Sequence, residues 1–550
     1  TNHSLHYNNN PSYSKTHAKY YTWLAAWAQS NRVYLDKSNE KLTKGSRDYS
    51  DALIENTLTY DGKIGKHNIN LVVGQTYEEE YTDELTGWAV NFPEPYFLQL
   101  QNGASTYSSS YEYKHALTSF IGRLNYNYDE KYLISAVIRR DGSSRLSKNI
   151  RWGTFPSVSV GWRFDKEKFF PISRDVVNMF KVRGSYGVLG NENIGEYMYQ
   201  TTMNRNNMTY SFGNTPITGS AVSTFVDNNL AWEKKKTTNV GIDLAMFHNR
   251  LEFTVEWYKN KSEDLLYAVP VPAQAGVSNT SVTMNAASME NSGFEFSATY
   301  RNNDHALKYM ISANLSTLKN KVTSLGFGTD SYISGAYITE VGQEIGKFYG
   351  WVYDGIARTQ ADIDNRVNDN GDPISQPGVN VGDCLYKDIN NDGIIDANDQ
   401  TVLGSGLPKI NFGLSGRLEY KNFDLSISTY GALNYHVSDD IYNSLNSCYG
   451  WANKDVAMAD ANRWSEDGTT YLSSVPRTYA ANNATLAWND LFSERKIQNA
   501  AYWKIANVEL GYNIPDKIFG GVVNGVRVYV SAQNLHTFTG YKGYNVDYAG

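Results

Sequence analysis

The stretch Asn239–Trp257, NVGIDLAMFHNRLEFTVEW, decides the fold. Val240, Ile242, Leu244 and Met246 alternate with Asn239, Gly241 and Asp243. Leu251, Phe253, Val255 and Trp257 alternate in the same way with Glu252, Thr254 and Glu256. A period of two marks a strand with one apolar and one polar face. Only His248, Asn249 and Arg250 separate the two runs, so the segment predicts a tight antiparallel hairpin.

The same unit recurs on both sides of it. Phe294, Phe296, Ala298 and Tyr300 lead into the turn Asn302-Asn303-Asp304, and Leu307, Tyr309, Ile311 and Ala313 lead out. Phe412, Leu414, Leu418 and Tyr420 join Phe423, Leu425 and Ile427 across Lys421-Asn422. Phe120, Leu124, Tyr126 and Tyr128 join Ile134, Ala136 and Ile138 across Asp129-Glu130-Lys131. Such strands run for about nine residues or more, enough to cross a bilayer at a tilt of roughly 45°. The links between hairpins are long: Tyr77–Tyr113, Asp141–Gly153, Asn260–Met289, Leu318–Lys409 and Asn434–Lys496. Short turns on one side and long loops on the other, with Tyr and Phe near the turns, describe a large antiparallel transmembrane β-barrel of the all-β class. Roughly 15 strands are expected here. Leu251, Phe253, Val255 and Trp257 are expected to face lipid, and Glu252, Thr254 and Glu256 the lumen.

Composition agrees. The 550 residues hold 42 Tyr, 12 Trp and 21 Phe, β-favouring residues, with only 13 Pro to interrupt strands. Mean hydropathy is −0.50, as a wall with one wet face requires. No apolar run approaches the ~18 residues of a membrane helix. A formal charge of −7, spread along the chain without a Lys/Arg cluster, argues against a nucleic-acid partner. Cys384 and Cys448 make neither a metal-type pair nor a disulfide framework; one bridge or two thiols are both open readings.

One motif carries chemistry. In Asp388–Asp399, DINNDGIIDAND, oxygen-bearing side chains stand at loop positions 1, 3, 5, 9 and 12, with glycine at 6. Asp388, Asn390, Asp392, the Ile394 carbonyl, Asp396 and Asp399 would supply the hard oxygen ligands that calcium takes. Asp399 replaces the more usual Glu, and its shorter carboxylate also admits magnesium. The ion is expected to be structural, ordering a long extracellular insertion that spans 319–409. Gly342–Lys347 (GQEIGK) is one residue short of a phosphate loop, with Phe348 where Ser or Thr would hold magnesium. No catalytic constellation is visible. Tyr332, Tyr337, Tyr442, Tyr449 and Trp451, in the long loops, are candidates to stack on sugars or grip peptides, and loop packing accounts for them equally well.

Several stretches together resemble one family. They are Tyr132–Arg145 (YLISAVIRRDGSSR), Arg151–Arg163 (RWGTFPSVSVGWR), Lys181–Asn191 (KVRGSYGVLGN), Asn291–Phe296 (NSGFEF), Tyr386–Gly404, Tyr420–Asp424 (YKNFD) and Ala532–Tyr544 (AQNLHTFTGYKGY). From about Asn56 to Gly550 the chain resembles the SusC/RagA-type TonB-dependent transporters of the outer membrane. The resemblance implies a barrel of about 22 strands in the full protein. It also implies an N-terminal plug, energy from a TonB-ExbB-ExbD complex, and a SusD-like surface lipoprotein as lid. The cargo it implies is a bulky oligosaccharide or peptide. Asn545-Val546-Asp547 stands where the family has Asp-Pro-Glu after its last glycine-aromatic motif. Thr1–Tyr13, rich in Asn, Ser and Tyr, reads as the inside of a loop, and the gene is expected to extend beyond both ends. The rival reading is a secreted, soluble β-rich glycan-binding protein or glycosidase with a calcium-stabilised loop.

Overall fold

The computed structural model describes residues 2–24, 40–94, 96–204, 209–213, 215–222, 224, 226–271, 274, 281–326, 328–445, 476–477, 488–515, 518, 520, 523 and 525–548. Its framework is a 16-stranded sheet in which nearly every strand neighbours the next in chain order. The strands are β1 (Asn2–Leu24), β2 (Lys41–Ile64), β3 (His67–Val90), β4 (Ser105–Tyr128), β5 (Tyr132–Ser143), β6 (Trp152–Arg163), β7 (Val177–Asn191) and β8 (Glu233–Met246). They continue as β9 (Leu251–Pro270), β10 (Ser281–Asn302), β11 (Leu307–Thr317), β12 (Lys319–Ser324), β13 (Ile410–Tyr420), β14 (Phe423–Leu433), β15 (Tyr502–Asn513) and β16 (Arg527–Thr539). The expected strand count is met.

The short turns lie where the alternation stops. Asp129 and Glu130 turn β4 into β5 with φ of 52° and 53°, and Phe247, His248 and Asn249 turn β8 into β9 with φ of 55°, 59° and 62°. Paired left-handed residues match the twist of the flanking strands, and Asn and Asp tolerate that region best. Lys421, φ 54°, does the same between β13 and β14.

Two expectations are corrected. The segment expected as loop is strand from Asn2 onward: β1 pairs with β2 residue by residue from Asn2↔Lys63 to Leu24↔Lys41. Asn2, Ser4, Asn8, Asn10 and Ser12 share one strand face while Asn9 lies on the other, and such a wet strand has the composition of a loop. Tyr77–Tyr113 is not a long loop either. β3 and β4 stay paired from His67↔Tyr128 to Val90↔Ser105, leaving only 91–104 as the connection. Beyond the lipid belt neither face needs apolar residues, so alternation vanishes at EEEYTDEL although the backbone ladder continues. β9 and β10 likewise extend into the expected Asn260–Met289 link.

The chain divides into two compact units. Unit one is Thr1–Arg163, Arg183–Thr238 and Ser262–Ala287; unit two is Phe164–Val182, Asn239–Lys261 and Ser288–Gly550. In unit two, the start of the expected 319–409 insertion belongs to the sheet, since β12 pairs with Ser288–Ser292 of β10. A four-stranded sheet of Ser331–Ser334, Tyr337–Glu340, Lys347–Gly350 and Thr401–Gly404 follows.

Candidate functional site

The wall has two chemically distinct faces. In unit one, Asp61, Asn70, Asn125 and Ser135 stand opposite one another on β2, β3, β4 and β5. Their side chains bond in series: Asn70 Nδ2 donates to Asp61 Oδ1 (2.7 Å), Asn125 Nδ2 to Asn70 Oδ1 (3.2 Å), and Ser135 Oγ to Asn125 Oδ1 (2.7 Å). On the other face of the same strands Leu58, Leu71, Leu124 and Ile134 are exposed. Unit two repeats the arrangement. Arg301 donates to Glu252 (2.9 Å), Thr254 to Asp243 (3.3 Å), and Asn239 to Glu256, while Val240 and Ile242 lie exposed. A polar, hydrogen-bonded face opposite an exposed apolar one is the reverse of a water-soluble sandwich, and it is what a lipid-embedded wall with a wet interior requires.

A charged cluster sits on the polar face of unit one, at the end of β4 and β5 remote from the short turns. His115, buried, has Nε2 3.5 Å from Glu192 Oε1 and Nδ1 3.8 Å from Glu196 Oε1. Arg145 Nε donates to Glu196 Oε1 at 2.6 Å. The Tyr197 hydroxyl accepts from the Lys114 backbone N–H (3.2 Å), and Ile194 packs against Leu146, Phe155 and Trp232. The segment after β7 is thereby fastened to the wall. Burial pushes the Glu192 carboxyl up to about 7, against the pull of Arg145. Sequence reasoning missed this cluster because its members are scattered along the chain and no local motif marks them.

In unit two the two long connections fold together as one body. Tyr353–Ile356 pairs with Cys384–Tyr386, and Trp351, Ile374, Trp488 and Leu491 pack around Cys384, Tyr386 and Ile395. Asp383, without exposed surface, accepts from Arg477 Nε (2.6 Å) and Nη2 (2.9 Å) and from Asn489 Nδ2 (2.8 Å). Cys384 is a free, buried thiol, pushed up to about 11 by burial, and takes a hydrogen bond from Arg495 Nη1 (2.9 Å). Such a thiol is inert. Cys448, Tyr449 and Trp451 lie outside the described residues. Tyr337 packs on Phe348, and Tyr332 and Tyr442 sit on separate short elements of unit two, Ser331–Ser334 and Asp440–Leu445.

The Asp388–Asp399 loop is part of this body, anchored by buried Ile395 and by Trp351 Nε1 donating to the Asp396 carbonyl (3.0 Å). Asn391 (φ 59°) and Gly393 (φ 80°) make its sharp bends. Asp388 accepts from the Gly393 N–H (2.8 Å) and from Asn368 Nδ2 (3.1 Å), which holds its carboxyl below the usual range although partial burial opposes this. Asp399 accepts from the Ile389 and Asp396 N–H groups, both at 2.8 Å. Asp392 accepts from Ile394 N–H (2.9 Å), Asp396 from Asn398 N–H (2.7 Å), and Asn390 Oδ1 from Asp392 N–H (3.0 Å). The donor set is all hard oxygen, as calcium or magnesium takes, and each carboxylate keeps lone pairs beyond these bonds. The side chains are nevertheless turned onto their own backbone. Among the described residues no three His, Cys, Asp or Glu groups converge as a metal site.

Residues 1–535 match the family "TonB dependent receptor-like, beta-barrel". This chain belongs to that family. The match begins well before Asn56, where the sequence first became recognisable. A TonB-dependent receptor P3 of Formosa agariphila is 33% identical over 511 residues, covering 90% of this chain and 49% of that protein. The TonB-dependent receptor SusC of Bacteroides thetaiotaomicron is 29% identical, over 88% of this chain and 46% of that protein. The RagAB peptide transporter shares the fold, with a TM-score of 0.80 at 24% identity, covering 99% of this chain and 57% of that one. The chain spans about half the length of the curated relatives it matches. The SusC/RagA resemblance holds, the location is the outer membrane, and the family is one of transporters rather than enzymes. Membership removes the soluble glycan-binding or glycosidase alternative.

Proposed function

We propose that the complete protein imports a bulky nutrient, an oligosaccharide or a peptide, across the outer membrane, powered through TonB. A SusD-like surface lipoprotein would close over it, and cargo would bind between that lid, the folded loops and the polar face of the wall. The supporting observation is the wall itself: in each unit one face carries hydrogen-bonded polar groups and the opposite face is exposed and apolar. Cells should take up labelled oligosaccharide or oligopeptide only while this gene and the proton-motive force are intact. Uptake of both classes unchanged by deletion or by a protonophore would remove the reading.

Within the same reading, calcium would be held by Asp388, Asn390, Asp392, the Ile394 carbonyl, Asp396 and Asp399. It would neutralise acids that otherwise repel and stiffen the loop body, with magnesium as a weaker substitute. Fixing each backbone residue costs ~1–2 kcal/mol, which ion binding offsets in part. Replacing Asp388 and Asp392 by Ala should leave the barrel folded and raise protease cleavage within 360–400, and a chelator should do the same to the native protein. Cleavage indifferent to calcium would sink this part.

A further inference from the structure

We propose that the polar face of unit one, on the half of β2–β4 remote from the short turns, selects cargo bearing ammonium or guanidinium groups, that is, Lys- or Arg-containing oligopeptides. The inference rests on the import reading above and names its substrate class.

The ladder places Asp51 directly opposite Glu80, and Glu80 opposite His115; on the same face Glu78 stands two residues from Glu80 and Glu55 four from Asp51. Among the described residues none of Asp51, Glu55, Glu78 and Glu80 forms an ion pair with Lys or Arg, whereas each nearby guanidinium lies beside another acid. Arg47 serves Glu84 and the Tyr113 hydroxyl, Arg139 serves Asp141, and Arg145 serves Glu196. Like charges directly across a ladder destabilise it unless a counter-charge arrives.

A second observation concerns polar atoms rather than charge. Thr82 lies between Glu80 and Glu84, opposite Tyr49 and Tyr113, with no exposed surface, and its hydroxyl has no partner. Asp51 Oδ1 and Glu192 Oε2 are also buried and unpartnered. Buried polar groups in native proteins are almost always satisfied, so the Thr82 hydroxyl and the Asp51 oxygen, together on one face, mark a place that takes donors. An ammonium offers three N–H donors and a guanidinium five, with the matching charge. The stacked rings of Tyr111 and Tyr113, 6.1 Å apart, add faces on which a cation rests favourably. A single metal ion fits less well, because the carboxylates are strung along strands and no three described His, Cys, Asp or Glu groups converge. A chain with spaced cations matches that array.

The test uses the full-length transporter with its lipoprotein partner, in detergent. Fluorescent Lys-containing, Glu-containing and uncharged oligopeptides and a maltooligosaccharide are titrated at low and high salt. The Lys peptide should bind at least about tenfold more tightly than the Glu peptide, with the preference shrinking as salt rises. Asp51→Asn/Glu78→Gln/Glu80→Gln should abolish the preference, so that Lys and Glu peptides bind alike. Glu78→Asp/Glu80→Asp should retain it, and heat-modifiable migration verifies the fold of each variant. Equal binding of Lys and Glu peptides, or a preference that survives the triple variant, overturns the selectivity and leaves the import reading standing. If no peptide or glycan binds or enters cells, the import reading falls and this inference with it.

Discussion

Asp383 shows how much a single residue can organise. It is fully buried, yet both oxygens are engaged by Arg477 and Asn489, and the neighbouring Cys384 N–H donates to Asn489 Oδ1 (2.7 Å). Removing one partner of a buried ion pair strands the other charge, so Asp383→Ala should cost about 3 kcal/mol of local stability. Limited proteolysis should then cut between 350 and 400 while the sheet stays intact; an unaltered cleavage pattern would refute the assignment. Glu192 gives a pH prediction. Its carboxyl is raised from 4.5 to about 7 by burial in the fastened segment, so fastening favours the protonated form. That stability is fully present below about pH 4.5 and is lost as pH rises towards 7, on the order of 2–3 kcal/mol across the window. Hydrogen exchange at Glu192–Tyr197 should therefore quicken from pH 5 to 7.5 beyond the intrinsic rate, and Glu192→Gln should remove that extra dependence.

At the scale of the element, the β8–β9 hairpin carries the test of facing. Glu252, Thr254 and Glu256 are bonded to Arg301, Asp243 and Asn239 on the polar face, so Val255 takes the opposite one. Arg at 255, near the midplane, should cost ~2–4 kcal/mol. A water-soluble thiol reagent should label cysteine placed at 254 and spare one at 255, and the reverse pattern would refute the orientation. β9 was readable because one face meets lipid and the other water. β1 was not, because its Asn and Ser positions imitate a loop. The outer half of β3 was not, because the acids that now define the candidate cargo site erase the alternation. These elements are strands because their backbones pair with neighbours over more than twenty residues each, a non-local cause that propensity cannot express.

For the whole molecule, a wall whose neighbouring strands pair along most of their length unfolds only by breaking many bonds at once. The folded protein should therefore resist SDS at room temperature and migrate faster than the boiled form on a detergent gel. Identical migration before and after boiling would contradict a lipid-embedded barrel. Asp547 bonds Lys504 and accepts from the Tyr430 hydroxyl (3.0 Å), tying the segment after β16 onto β14 and β15.

The amino-acid sequence by itself determined the antiparallel wall, its short turns, which faces meet lipid, the family, and the oxygen-rich loop at 388–399. The strands, turns and loop follow from residues close together in the chain, where periodicity and spacing act directly, and the family from the order of short motifs along it. Only the tertiary structure decided which polar groups meet. Asp383 with Arg477, His115 with Glu192, and Asp51 with Glu80 are joined by register and loop packing across gaps that no local pattern encodes. The same holds for the calcium-type loop, where the sequence supplied the ligand types and the fold decided how their oxygens turn.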